Sequence, residues 1–469
     1  MIHEGFDPDF PPSVDEQLAA LDAAPALTPT AGIRDLRELP WSSIDNDSSR
    51  DLDQIEAAER VAGGTRILVG VADVDSDVAI GSAIDAHAST QTTTVYTGVA
   101  TFPMLPENLS TGLTSLNENE DRLAVVVDFL VASDGSVSSG AVYRAVVRNR
   151  AQLTYNGVGP WLEGRAAAPA KVAASADLQA QLKLQDEAAQ ALREQRHRMG
   201  GLNFDRVETE DVVTEGKALE IRIHQRNSAT DLIEDFMVGA NEVMARTLRE
   251  AGVSSIRRVV KVPERWPRIV ELAARYSEKL PAQPDSGALD AFLRRRQAAD
   301  AIHYADISLA IIKLMGPGQY ELARAGDPDP GHFALAAHDY THSTAPNRRF
   351  ADMVVQRLIK THLAGGPTPY SDDQLSAVAD TCTQREDAAR KVERTMHKRI
   401  VAVALEGRVG ERFSAVVTGV SPKGVFVRVL NPPVEGRLMR GEQGLDVGDR
   451  LTVSLTRTDP ESGFIDLAA

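Results

Sequence analysis

The apolar residues of this chain change their spacing at Gly407, and the change divides the sequence in two. From Asp372 to Leu405 they recur at helical intervals, the pattern of one long helix. Beyond Gly407 apolar and polar residues alternate in FSAVVTGV, GVFVRVL, GRLMRG, RLTVSLTRT and GFIDL, separated by Gly, Pro, Asn and Asp. A period of two cannot settle as a helix, so residues 408–469 are expected to form a unit of their own. Five strands in about 60 residues is the size of a small OB-type β-barrel.

Upstream, 469 residues are too many for one core, and two or three domains are expected. Residues 1–40 read as an arm rich in Pro, Asp and Ala, with one short helix from Val14 to Leu21. Strand-like runs follow at Thr65–Val74, Leu123–Val131, Val137–Arg148 and Ala218–His224, implying a mixed or antiparallel sheet. Helices are predicted over Ala176–Met199 and Ser228–Ala251. In the second, Ile233, Met237, Ala240, Met244 and Leu248 form one apolar stripe, with Asp235 off it. From Leu289 the pattern is largely helical. A sheet followed by helices makes the class α+β, with a large domain over residues 41–405 ahead of the barrel.

With 43% apolar and 25% charged residues, disordered and collagenous classes are excluded. No apolar run reaches the roughly 20 residues of a membrane helix, and the amino terminus lacks a basic-then-apolar secretory pattern. The single cysteine, Cys382, fits a reducing compartment, so a cytoplasmic location is expected. A net charge of −16 argues against a protein that coats nucleic acid, but the acid is unevenly spread. Residues 1–60 carry 14 Asp and Glu against 4 Arg, while residues 385–469 carry 14 Lys and Arg against 12 Asp and Glu. The front of the chain suits cations, and the end is free to meet a polyanion.

The densest chemistry lies in SSIDNDSSRDLDQIEAAE, residues 42–59, where Asp45, Asp47, Asp51 and Asp53 fall within nine positions. Carboxylates this close repel one another unless they share a cation. Ligands that are all oxygen select a hard ion, Mg²⁺ or Mn²⁺ in a catalytic site or Ca²⁺ in a structural one. A calcium loop fits part of the spacing, with Asp45, Asp47, Ser49, Asp51, Asp53 and Glu56 in its ligand positions. Against it, Arg50 stands where the loop needs Gly, and Pro40 where the entering helix should run. A solvated acidic loop is a third reading.

Further runs accompany the cluster in order over residues 40–400: GVADVDSDVAIGSAIDAHAS, FPMLPENLSTGLTSLNENEDRLA, RAQLTYNGV, GGLNFDR, TDLIEDFMVGAN and DYTHSTAPNRRFADMVVQRLI. Together they resemble the ribonuclease II family, the RNB-domain exoribonucleases that hydrolyse RNA from its 3′ end. Residues 408–469 resemble the RNA-binding OB domain first described in a small-subunit ribosomal protein. The resemblance implies that Asp45, Asp51 and Asp53 match three of the family's four metal-site aspartates. Gln54 takes the fourth place, its carbonyl able to ligate Mg²⁺ without adding charge. It further implies that Tyr96 and Phe204 clamp the terminal bases, that Asp235 stands where a Glu contacts the RNA end, and that Arg348 braces the scissile phosphate. Asp53 and Arg348 become the expected catalytic residues. Ala345, Asn347, Phe350 and Gln356 replace the usual Ser, Ile, Tyr and His. The cold-shock-type OB domains that usually come first do not fit ahead of the cluster.

Each residue also has a plainer reading. Tyr96 and Phe204 are equally packing aromatics, Arg348 and Arg349 surface charges, and His332, His338 and His342 structural hydrogen-bonding groups. Phe426 is barrel core or a stacking platform for bases, and Lys423, Arg428, Arg437 and Arg440 are solvated charges or phosphate contacts. The expected function is a Mg²⁺-dependent hydrolytic 3′-to-5′ exoribonuclease, with Mn²⁺ as a substitute, degrading single-stranded RNA to nucleoside 5′-monophosphates. It is expected to be a monomer with no dinucleotide cofactor. The alternative is an RNA-binding protein on a nuclease scaffold, its catalysis weakened by Gln54 and the altered arginine motif.

Overall fold

The structure is a computed structural model describing all residues except 23–31, 205–207, 215–216, 225, 301–303 and 329–330, and the backbone alone at 22, 139, 208–214 and 217–224. A seven-stranded sheet organises the larger part. In spatial order its strands are Arg34–Asp35, Val137–Arg148, Asp121–Val131, Gly64–Ala72, Gln54–Val61, Ser42–Asp45 and Ala151–Thr154. The two outermost pairings are parallel and the four inner ones antiparallel, which bears out the mixed sheet and the α+β class. Ala124 to Val127 are all buried, so this central strand is covered on both faces and reads as an unbroken apolar run.

Among the strands not anticipated, two frame the acidic run. Ser42–Asp45 and Gln54–Val61 pair with each other and bracket the acidic run, so the aspartates sit in a loop between neighbouring strands. A calcium loop needs helices on both flanks, and these strands overturn that reading. The strand Lys217–His224 pairs with Glu208–Thr214 in a separate two-stranded ribbon rather than in the main sheet. The arm is integral to the fold: Phe6 packs with Val95, Ala389 and Val392, and Val14, in the helix Pro12–Asp22, belongs to the main core.

Helix Ser228–Glu250 is capped by Asn227, whose side chain accepts from the amides of Ala229 and Thr230 while Thr230 answers to the Asn227 amide. Its stripe of Ile233, Ala240, Met244 and Leu248 is buried as expected. Asp235 is buried as well, because helix Ala176–Arg198 packs alongside and supplies Arg193 and Arg196 as partners.

Helix Phe350–Leu363 is fastened by charge. Its Arg357 pairs with Asp75 at 2.5 Å and Asp85 at 2.7 Å, and donates to the Val78 carbonyl at 2.8 Å. Lys360 reaches Asp73 at 2.6 Å and Asp75 at 2.9 Å, and Arg144 holds Asp73 from the sheet at 2.8 Å. The ADVDSDV run is thus a docking surface for this helix.

The last strands close into a barrel in the order Arg412–Ser421, Gly424–Leu430, Pro433–Arg440, Phe464–Ala468, Arg450–Asp459. Its core of Val417, Val427, Leu438, Val453 and Leu467 also takes in Val401, Ala402 and Leu405 from the end of helix Asp372–Leu405. Ion pairs of Arg428 with Asp306, Lys313 with Glu435 and Arg275 with Asp446 tie the barrel to the larger part. Arg428 is therefore committed to packing rather than held out for a phosphate.

Replacing Arg357 by Leu leaves Asp75 and Asp85 without their main buried partner, which should cost about 3–5 kcal/mol in chemical denaturation. A loss well under about 1 kcal/mol would place those aspartates in the class of solvent-screened surface pairs.

Candidate active site

Asp45 ends its strand and Gln54 begins the next, so residues 46–53 span a short gap whose shape is set by neighbours. The Ser115 hydroxyl accepts from the Leu52 amide at 3.0 Å and lies 2.8 Å from the Arg50 carbonyl, while the Leu52 carbonyl receives the Leu116 amide at 3.0 Å. The Asp53 carbonyl accepts from Ala72 at 2.9 Å. These bonds fix a loop that four like charges would otherwise spread apart.

The STAPNRR segment closes over this loop. Asp352, in the first turn of its helix, accepts from the Ala345 amide at 2.8 Å and pairs with Arg349 at 2.7 Å, folding the segment back on itself. The Arg348 carbonyl accepts from Thr94 at 3.0 Å, and the Phe350 amide donates to Thr92 at 2.9 Å. The Asn347 amide then donates to Asp53 at 2.9 Å, while its side-chain oxygen accepts from Thr114 at 2.6 Å. Asn347, read from sequence only as a departure from a family pattern, orients the most buried carboxylate of the cluster.

A cavity of about 770 Å³ results. Its wall brings together Asp45, Asp51, Asp53, Gln54, Tyr96 and Arg348, six of the residues singled out in the sequence. Four carboxylates, Asp45, Asp51, Asp53 and Glu107, face it against two guanidiniums, Arg50 and Arg348. Asp53 is 2% exposed; burial pushes its carboxyl up to about 7, although Arg348, with Nε 3.4 Å from Oδ2, and the Asn347 amide both pull it down. Burial also raises Asp51, which accepts from the Tyr96 hydroxyl at 3.4 Å. Asp45 accepts from Ser49 at 2.8 Å and Asn46 at 2.7 Å. Tyr96 is 42% exposed and the Arg348 side chain 47%, so both present surface to the cavity.

The donors are all oxygen, which fits a hard divalent cation and disfavours zinc. Among the described residues no three His, Cys, Asp or Glu side chains are gathered into a ready-made set of ligands for one ion. Asp47 is turned away to Asn156, 2.5 Å distant. Tyr155, from the RAQLTYNGV run, lines the cavity and was missed; its signal was the motif alone.

Three expected RNA contacts lie elsewhere. Phe204 is partly buried against the cluster of Trp266, Phe292 and Tyr304, where an aromatic finds apolar neighbours. Asp235 is held by Arg193 and Arg196. Phe426 is half-buried on the barrel, between buried Val425 and Val427. Asp205 and Arg206 of the GGLNFDR run lie outside the described residues. A second groove, of about 860 Å³, shares Ser48, Tyr96 and Thr101 with the cavity and is bounded by Arg390, Arg394 and His397 of the long helix.

Residues 33–365 match the RNB domain, and residues 411–469 the RNase II-type exonuclease C-terminal S1 domain. The chain belongs to the RNB-domain family. Ribonuclease R 1 of Lactococcus lactis subsp. lactis is 31% identical over 440 residues, which cover 91% of this chain and 52% of that protein. Ribonuclease R of Thermotoga maritima is 29% identical over 445 residues, covering 91% and 61%. This RNB-domain chain therefore spans little more than half the length of these relatives. The structure of Mycoplasma genitalium RNase R in complex with ribose methylated single-stranded RNA shares the fold, with a TM-score of 0.89 at 24% identity, covering 99% of this chain and 76% of that one. Ribonucleases of the RNB family are metal-dependent nucleases.

A carboxyl near neutrality ties cation binding to pH. Below about 7 Asp53 is protonated and proton and cation compete for its oxygens, so the Mg²⁺ concentration for half-saturation should rise as pH falls, approaching tenfold per unit. Mg²⁺ titrations at several pH values between about 6 and 8 check this; a flat requirement would remove Asp53 from the cation's ligands.

Proposed function

We propose that the chain is a hydrolytic 3′-to-5′ exoribonuclease that degrades single-stranded RNA to nucleoside 5′-monophosphates with Mg²⁺, or Mn²⁺ in its place, as a cytoplasmic monomer. What supports this reading above all is the meeting, on one cavity wall, of Asp45, Asp51, Asp53 and Gln54 with Arg348 and Tyr96. A polyanion cannot enter a cavity with four carboxylates and two guanidiniums unless a further cation balances the charge. When bound, a divalent cation polarises the phosphate and lowers the pKa of the attacking water. Asp45, Asp51, Asp53 and the Gln54 carbonyl would hold it. Arg348, whose backbone carbonyl accepts from the Thr94 amide and whose half-exposed side chain lies beside Asp53, would meet the phosphate oxygens, where charge develops in the transition state. Tyr96 offers a ring for stacking that any base satisfies, as a nuclease indifferent to sequence requires.

The adjoining groove supports a path for the rest of the strand. Arg394 has no ion-pair partner among the described residues, and Lys423 and Arg437 of the barrel are likewise unengaged. Ending the chain before the barrel would strip the cover from Val401, Ala402 and Leu405, so surface substitutions are the cleaner test of grip.

With 5′-labelled single-stranded RNA and Mg²⁺, the wild-type protein should produce a descending ladder, and Asp53→Asn should nearly abolish it while RNA affinity holds. Binding with no ladder from the wild type would favour the non-catalytic alternative. Tyr96→Ala removes stacking worth about 1–3 kcal/mol and should lengthen the final product; an unchanged product returns Tyr96 to a packing role. Arg394→Ala and Arg437→Ala should weaken long-RNA binding and each reduce the salt slope of log affinity by about one unit.

A further inference from the structure

Among the described residues that line the groove beside the cavity, Glu393 is the only acid, set among Arg390, Arg394 and His397. A carboxylate on the path of a polyanion works against binding, so its presence there calls for another use. Glu393 has one. Its Oε1 accepts from the backbone amide of Tyr96 at 3.1 Å, a bond between residues 297 positions apart.

Tyr96 stands on a slight support. Val95–Tyr96 and Thr101–Phe102 make a ribbon of two residues per strand, separate from the main sheet, and a ribbon this short does not hold together by itself. It rests on the helix Asp372–Leu405. Val95, fully buried, packs with Phe6 and with Ala389 and Val392 of that helix, and Phe102 and Met396 join the contact. Ala389, Val392, Glu393 and Met396 are spaced by threes and fours, so the acid belongs to the same helix face as the packing residues. Successive residues of a strand point to opposite sides, so with Val95 turned into the helix the Tyr96 ring is turned out, onto the walls of both cavity and groove. The ring's own polar contact, from its hydroxyl to Asp51, is long at 3.4 Å. We propose that Glu393 is a positioning residue for the Tyr96 ring: by accepting from the Tyr96 amide it fixes the angle at which the ring faces the cavity, and so how short an RNA end the protein still holds. The bond needs an oxygen acceptor rather than a charge, and the amide oxygen of Gln serves equally. Because the same helix ends inside the barrel core, the ring is braced by the element that carries the barrel.

This role rests on the reading of Tyr96 as a stacking ring for RNA ends, and one set of variants separates the two. The full chain is compared as wild type, Tyr96→Ala, Glu393→Ala, Glu393→Gln and Tyr96→Ala with Glu393→Ala, each checked by thermal melting. The measurements are the final product length from 5′-labelled single-stranded RNA with Mg²⁺, and KM for short oligonucleotides. Glu393→Ala should lengthen the final product in the direction of Tyr96→Ala and raise KM for short RNA by about two- to tenfold, the worth of one hydrogen bond, although an acid facing a polyanion has been removed. Glu393→Gln should restore the wild-type product length, and the double variant should behave as Tyr96→Ala alone. Where Glu393→Ala lowers the melting temperature, Glu393→Met, of similar length and without an oxygen acceptor, takes its place with the same expected outcome. Wild-type product length in folded Glu393→Ala overturns the role of Glu393, as do equal lengthening by Glu393→Gln and a further lengthening in the double variant. A product unchanged by Tyr96→Ala overturns the stacking ring, and no ladder from the wild type overturns the nuclease reading, each taking the role of Glu393 with it.

Discussion

The hydrogen bond from the Asn347 amide to Asp53 joins residues 294 positions apart, and the cavity depends on it. Asp53 belongs to a loop between two strands of the sheet, Asn347 to the turn that starts a helix docked against that sheet. Because the carboxylate is buried, it cannot turn to solvent for donors and is held where the amide and Arg348 meet it. The acidic wall and the cationic rim are therefore placed relative to each other by the fold as a whole.

Two acid-rich loops end in opposite conditions. Asp73, Asp75 and Asp85 are met by Arg357, Lys360 and Arg144, so their charge is spent on packing. Asp45 and Asp51 are met by hydroxyls and an amide, neutral donors that satisfy lone pairs but leave the charge standing. The same residue type at similar density serves cohesion in one loop and leaves an electrostatic demand in the other. What separates them is the helix Phe350–Leu363, which brings its Arg357 and Lys360 to the first loop and only the half-exposed Arg348, just ahead of it, to the second.

Long periodic elements were legible in the sequence: the strand Val137–Arg148, the helix Ser228–Glu250 and the barrel all followed from spacing. The strands Ser42–Asp45 and Gln54–Val61 were not, because one is four residues long and the other, QIEAAERV, is rich in Glu and Ala, which weigh against strand formation in isolation. Their pairing with each other and with central neighbours overrides that preference. At the site, motif order identified Asp45, Asp51, Asp53, Gln54, Tyr96 and Arg348, all of which share the cavity wall. The neighbours of Phe204, Asp235 and Arg428 were not legible, because Trp266, Arg193 and Asp306 come from other elements and no local pattern reports such pairings.

The end of the long helix has a consequence for how the two parts can be recombined. Val401, Ala402 and Leu405 belong to the helix by sequence and to the barrel by packing, so no flexible tether separates the parts. A seam cut at the change of hydrophobic period would leave each fragment with an open apolar face. Grafting a foreign barrel onto this nuclease-like body, or this barrel onto another, requires carrying the final turns of the helix along. The heritable module is the helix end together with the strands, and an evolutionary exchange of barrels between such chains would leave its junction near the middle of the helix.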